Sequence, residues 1–400
     1  MIGVSLGSLN TCVGVVKGSN VDIILTDTSQ RCLPTLVAFN ERERSFADQA
    51  NFTIKSNFAN TVKYPTRYLG LCPDWPFINE ERKYALCQPI ANENGELVFE
   101  AEYKGTRDQY KPEAVMGVFF DKLKQNWLKK GYNTKDIVVS VPDYYLAHER
   151  QALIDAIKIA DLNCVSLINE SSAISINYGL FRRNQYDEKT PKIVGFVDMG
   201  ESKTSVFFTS FTKNNHKVIS VTTDRFCGAR DIDYILMEHY GGKFKQKYGC
   251  DPLKSTKCKL RLLETIAKVR KILTGNRDTN LTIDSLMEDE DMNYTVSREE
   301  FENLSAPVIA RFRQTLLKAL EDAKLKPSDI SCIEMVGDAV RIPVMQQIVK
   351  EVYGVELSKT LSPDECVARG SALYVNKYFY LGRYELSFLL LKRFQFRTLQ

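Results

Sequence analysis

The chain has 400 residues, 44% hydrophobic and 26% charged, with a formal net charge of +4. This is ordinary globular composition, which excludes collagen-like, low-complexity and wholly disordered chains. So weak a positive charge over this length also speaks against a nucleic-acid footprint. No apolar run reaches the ~18 residues of a spanning helix, and Met1-Ile2-Gly3-Val4-Ser5 lacks the basic start of a signal peptide. A soluble protein with no membrane partner is therefore expected. The ten cysteines, from Cys12 to Cys366, include no CxxC pair and read as reduced thiols of a cytosolic or nuclear protein. His148, His216 and His239 are too scattered for a histidine metal site. At ~150 residues per domain the length suggests two or three domains, and no Pro- or Ser-rich linker divides them.

In chain order, Val4-Ser5-Leu6-Gly7-Ser8-Leu9-Asn10-Thr11-Cys12-Val13 reads as strand, glycine turn and strand. Val115, Phe119, Leu123 and Trp127 recur every four residues and predict an amphipathic helix. The run Asp136–Val141 predicts a buried strand ending at Pro142. Leu153, Ile154 and Ile157 mark a second helix, and Val165 to Ile168 a strand leading into a corner at Asn169-Glu170. Ser297 with Glu300 forms a capping-box signature, and Pro307 divides the helical segment it opens into two helices. Cys332 to Val336 predicts a strand, followed by a Gly337–Pro343 turn and a helix through Ile348. The alternation predicts an α/β protein.

The N-terminal hairpin has an echo. Val197-Asp198-Met199-Gly200-Glu201-Ser202-Lys203-Thr204-Ser205-Val206 repeats its valines, glycine and threonine 193 residues later. Two readings stand at this point: a pair of related lobes, or chance likeness between two hairpins. If the lobes face each other, two glycine turns can present backbone N–H groups to one polyphosphate. A carboxylate at the end of each first strand could hold the water shell of Mg²⁺. Asp198 is such a carboxylate, whereas its counterpart is Ser5. Neither GxxxxGK[ST] nor GxGxxG occurs, which disfavours P-loop and dinucleotide-binding folds.

With these residues in view, the chain resembles the actin-like nucleotide-binding domain of the 70-kDa heat-shock proteins, and within them the 110-kDa subfamily of exchange-factor co-chaperones. The matching segments include Ile2–Val15, Ile137–Pro142, Ile159–Leu180, Val194–Gly200, Gly228–Asp233, Val336–Pro343 and Leu361–Ala372. The resemblance implies a two-lobed fold of duplicated ribonuclease-H-like lobes, with lobe I at 1–185, lobe II at 186–378 and an unassigned tail at 379–400. It implies ATP or ADP with Mg²⁺ in the cleft. Gly7, Ser8 and Leu9 would form the first phosphate turn, and Gly200, Glu201, Ser202 and Lys203 the second, with Gly228 beside it. Asp198 would face the metal through water, and Glu170 would serve its water shell. Arg270, Lys271 and Thr274 would lie along adenine and ribose, near Gly337, Asp338, Arg341 and Asp364. Pro142 would relay nucleotide state to the surface.

The departures carry as much weight. The family's first-turn aspartate is Ser5 here, and its catalytic lysine falls at Thr66. Arg67 and Lys63 stand close by as candidate substitutes. The resemblance therefore implies a co-chaperone that binds ATP weakly, hydrolyses it very slowly or not at all, and releases nucleotide from a 70-kDa chaperone. The alternatives are an active chaperone ATPase domain and a non-chaperone member of the actin–sugar-kinase fold. No peptide-binding domain is expected within this sequence. Taken singly, Glu170 could be an ordinary helix-start acid, Lys268-Arg270-Lys271 a solvated helix face, and Glu288–Asp291 an exposed acidic loop.

Overall fold

A computed structural model of the chain describes residues 1–18 and 20–375. The tail assigned above to 379–400 lies outside the described residues.

Two sheets organise the molecule. In the first, the strand order is Asn163–Asn169, Asp136–Val141, Ile2–Leu6, Asn10–Lys17 and Asn20–Ile23, with Cys32–Pro34 added to Asn10–Lys17. In the second, it is His216–Asp224, Thr204–Phe211, Lys192–Met199, Ile330–Val336 and Leu357–Ser358. Each is built on one plan. An antiparallel hairpin gives its first strand a parallel neighbour from far along the chain, Asp136–Val141 in one case and Ile330–Val336 in the other. The register repeats as well, since Val4 faces Val13 and Val197 faces Val206. The echo in the sequence is thus one structural unit used twice.

The apolar strand cores explain this layout. Ile137, Val138, Val139 and Val141 are all fully buried, as a parallel strand covered on both faces requires. The predicted helix around Val115–Trp127 spans Pro112–Lys129 and buries that four-residue stripe beneath the first sheet. Ser297 caps the helix Arg298–Leu304 by accepting from the Glu300 amide at 3.0 Å, while the Glu300 carboxylate turns to Lys243 instead of closing the box. The next helix begins at Ala306 with Pro307 in its first turn. The acidic run Glu288–Asp291 is exposed, as expected, and turns tightly between two strands with Glu288 and Asp289 at φ 51° and 60°. All ten cysteines are free thiols.

Each half has its own apolar core, one drawn from residues 2–162 and the other from 197–353. The helix Glu170–Leu180 stands between them. Ala173 and Ile176 pack toward the first sheet, and Ile174 and Tyr178 toward the second. The helix Cys366–Val375 then returns to the first sheet: a Cβ on Gly3 would lie 2.3 Å from the Ala372 nitrogen, and one on Gly14 2.9 Å from the Ala368 oxygen. The chain therefore crosses between its halves twice.

Candidate nucleotide site

The two hairpin turns meet. In each, a glycine amide donates across the turn at 3.1 Å, Gly7 to the Asn10 carbonyl and Gly200 to the Lys203 carbonyl. The Ser8 and Ser202 hydroxyls lie 2.9 Å apart, tying the tips together across 194 positions of sequence. The amides of Ser8, Leu9, Glu201 and Ser202 donate to no acceptor among the described residues. They belong to the two turns that meet there, and successive free N–H groups of this kind can form an anion-binding nest. Leu9 also fixes its turn from behind, its carbonyl accepting from the Thr35 amide at 2.8 Å.

Below the junction sits a buried ionic cluster. The Lys203 ammonium lies 2.8 Å from Glu170 Oε2, 2.9 Å from Asp198 Oδ2 and 3.3 Å from Ser205 Oγ. The three charged side chains are 10–13% exposed. Burial alone would lower the Lys203 pKa, but Asp198 and Glu170 overcome it and raise it, keeping the ammonium charged. Burial in turn raises Glu170, against the pull of Lys203. Asp143 completes the surroundings; the Ser171 hydroxyl and amide donate to it at 2.5 and 3.2 Å, and burial raises its pKa.

This arrangement bears on the expected Mg²⁺. Glu170 and Asp198 do converge, as sequence reasoning asked, but each already holds the lysine cation. Lys203 donates to Asp198 Oδ2 and Ser205 Oγ, while Glu170 Oε2 stands against the ammonium as an ion pair without accepting a hydrogen bond. Mg²⁺ keeps several waters and takes one or two carboxylates, the arrangement expected of Asp198 and Glu170. With the lysine cation already between those two carboxylates, this set does not fit a divalent cation.

The side that the resemblance assigns to adenosine is more open. Lys271, Asp338, Arg341 and Asp364 gather there, with Asp338 3.8 Å from Lys271 and 3.4 Å from Arg341. Gly337, at φ +83°, is held against the Met199 carbonyl, where a Cβ would come to 2.3 Å. Burial and the Asp338 charge raise the pKa of Asp364. Thr274 is half-buried, its hydroxyl turned back to the Lys271 carbonyl at 2.7 Å.

Other assigned residues have different partners. Arg270 is buried in a bidentate pair with Asp233 at 2.7 and 3.0 Å, so its charge is balanced inside the second half. Glu201 accepts from the Tyr64 hydroxyl at 2.6 Å and links the second turn to the first half. Gly228 caps its helix, its amide donating to Asp231 at 2.7 Å; the following amides of Ala229 and Arg230 donate to the carbonyls of Gly200 and Glu201. Gly228 therefore supports the second turn from outside.

Neither suggested substitute for the missing lysine reaches the cluster. Thr66 is buried, and its carbonyl accepts from Tyr145. Lys63 lies over the Tyr64 ring, and burial lowers its pKa. Arg67 is spent on Glu81, which also receives both Arg230 nitrogens at 3.0 Å. All three side chains of that triad are 1–2% exposed, and they join the two halves. Tyr84 adds a hydrogen bond to Asp231 at 2.5 Å. Ser5, half-buried opposite Cys12, brings no charge. Sequence reasoning missed Glu81, Arg230 and the true place of Lys203.

Duplicated sheets of this plan, closing two glycine turns over one cleft, define the actin-like ATPase fold. The family model described as Hsp70 protein matches residues 1–378, and the chain belongs to the Hsp70 family. It carries that family's nucleotide-binding fold and is a member of a heat-shock chaperone family. It is 32% identical over 373 residues to a heat shock protein homolog of Lachancea kluyveri, covering 92% of this chain and 54% of that protein. It is 31% identical over 372 residues to a heat shock protein homolog of Saccharomyces cerevisiae, at the same coverage. The 97 kDa heat shock protein of Strongylocentrotus purpuratus is 32% identical over 379 residues, covering 93% of this chain and 42% of that protein. The chain thus spans about half the length of the relatives it matches. Membership sets the chain within the Hsp70 family rather than another branch of the actin–sugar-kinase fold, and no helix among the described residues is long and apolar enough to cross a membrane.

Proposed function

We propose that this chain is a co-chaperone that promotes nucleotide exchange on a 70-kDa heat-shock chaperone, with weak ATP binding and very slow or absent hydrolysis of its own. One observation carries the reading. The cluster at the base of the cleft holds Lys203 between Glu170 and Asp198, while Thr66 and Ser5 leave two charged positions of the family's hydrolytic machinery unfilled. Phosphoryl transfer depends on positioning and charge stabilisation, and one lost contact of this kind costs about 3–4 kcal/mol, or roughly 10²–10³ in rate. Two losses leave a cleft suited to binding rather than turnover.

The partnership draws on the likeness to the two heat shock protein homologs and the 97 kDa heat shock protein. The Arg67–Glu81–Arg230 triad supports it physically, because it holds the halves together without help from nucleotide. Such a preorganised body can clasp a partner and favour the partner's open state. The free thiols suit a reducing compartment, and we place the protein in the cytosol or nucleus.

Two measurements test this. In steady state, the purified protein is expected to release phosphate from ATP at about a hundredth or less of the rate of a 70-kDa chaperone's ATPase domain. Equal rates would favour the active-ATPase alternative. In stopped flow, micromolar protein is expected to speed the release of fluorescent ADP from a 70-kDa chaperone. An unchanged release rate would remove the co-chaperone reading.

A further inference from the structure

The misfit between the carboxylate pair and a divalent cation has a constructive side. We infer that the Lys203 ammonium takes the cation's place, so that this cleft binds a nucleoside di- or triphosphate free of metal. The inference deepens the nucleotide-binding part of the function proposed above.

Three observations converge on it. First, the ammonium is built in: it bridges Glu170 of the first half and Asp198 of the second at 2.8 and 2.9 Å, with Ser205 at 3.3 Å. It offsets part of the carboxylates' charge before any phosphate enters. Second, Lys203 belongs to the second turn itself, its carbonyl receiving the Gly200 amide at 3.1 Å. The charge thus belongs to the same turn as the unpaired N–H groups of Glu201 and Ser202, and that turn meets the one carrying those of Ser8 and Leu9; such groups are what a phosphate oxygen would seek. Third, a Cβ built on Gly200 meets no atom within 4 Å, so the turn has open space beside it. An entering phosphate would take up the Ser8 and Ser202 hydroxyls, now paired with each other at 2.9 Å. A tethered lysine supplies point charge to phosphate without ordering a water shell, and it cannot be chelated away.

The test is calorimetric titration of ATP into the whole chain, in excess EDTA and in millimolar Mg²⁺. The wild-type affinity is expected to agree within about threefold between the two media, whereas Lys203→Met should bind metal-free ATP about tenfold or more weakly. Lys203→Arg, which keeps the charge, should retain most metal-free binding, and near-ultraviolet circular dichroism identifies any variant that has lost its fold. Wild-type binding that strengthens about tenfold or more with Mg²⁺ would overturn the inference, as would a folded Lys203→Met that binds in EDTA like wild type. Absence of binding heat in both media would overturn it together with the nucleotide-binding part of the proposed function. Failure of the ADP-release assay with metal-independent binding intact would remove the co-chaperone reading alone.

Discussion

Replacing Glu81 with glutamine is expected to destabilise the protein by about 3–5 kcal/mol, the usual cost of removing one partner from a buried ion pair. The reason is the company it keeps. Arg67 and Arg230 are 2% and 1% exposed, and without Glu81 two guanidinium groups face each other in the interior. Arg67 keeps its bond to the Arg225 carbonyl at 2.9 Å, and Arg230 the faces of Tyr64 and Tyr84 at 5.2 and 3.9 Å, but none of these carries an opposing charge. A urea-unfolding series would read the loss. A decrease below about 1 kcal/mol would mean that the triad behaves like an exposed pair.

The same residue shapes the acid limb of stability. Burial pushes the Glu81 carboxyl up, but Arg67 and Arg230 outweigh it and hold the pKa at about 2, against an ordinary 4.5. A carboxylate depressed in the folded state stabilises fully above its unfolded pKa and loses that contribution as pH falls. The window is therefore pH 4.5 down to about 2. Asp143, Glu170, Asp231 and Asp233 are raised by burial and slope the other way, giving up stability as pH rises. The difference between wild type and Glu81→Gln isolates the one contribution: it is expected to shrink steadily through that window. A constant difference would contradict the assignment.

Gly370→Ala is the second large effect, and its sign is informative. By helix propensity alone, alanine should stabilise the helix Cys366–Val375 by about 1 kcal/mol. At Gly370, however, a Cβ would stand 1.9 Å from the Ala173 carbonyl oxygen, on the helix Glu170–Leu180. Backbone cannot yield as a side-chain tip does, and overpacking of this kind costs about 1–3 kcal/mol, or more when the obstacle is main chain. We expect a net loss of about 3 kcal/mol and a displaced Glu170, since that residue opens the helix that is pushed. Thermal unfolding gives the stability change. A variant as stable as wild type would mean that the two helices separate more easily than their packing implies.

Much of the architecture was legible because hairpin and buried-strand patterns are local. The valines, glycine and threonine repeated 193 residues apart did become two sheets in one register, and Asp136–Val141 is a strand over that same range. Pro307 and Ser297 marked their helix starts for reasons contained within a few residues. The site was legible only in outline. Glu170 and Asp198 converge, but what Lys203 does depends on a carboxylate 33 positions earlier, in the other half of the molecule. Arg270 resembled an exposed helix cation until Asp233, 37 positions away, proved to hold it. Glu81 gave no outward sign, since an acid in Asn79-Glu80-Glu81-Arg82 looks like any solvated helix turn. Long-range charge pairing has no periodicity, and this is where sequence reasoning lost its footing.

The polypeptide passes from one half to the other near residue 186 and comes back before Cys366, so two strands of covalent backbone stitch the halves at separate points. A body sewn twice cannot slide freely; the seams define a pivot line, and opening must proceed as rotation about it. The groups farthest from that line would travel most. Lys55 and Glu264, in contact at 2.5 Å across the halves, would then act as a latch whose release reports the swing.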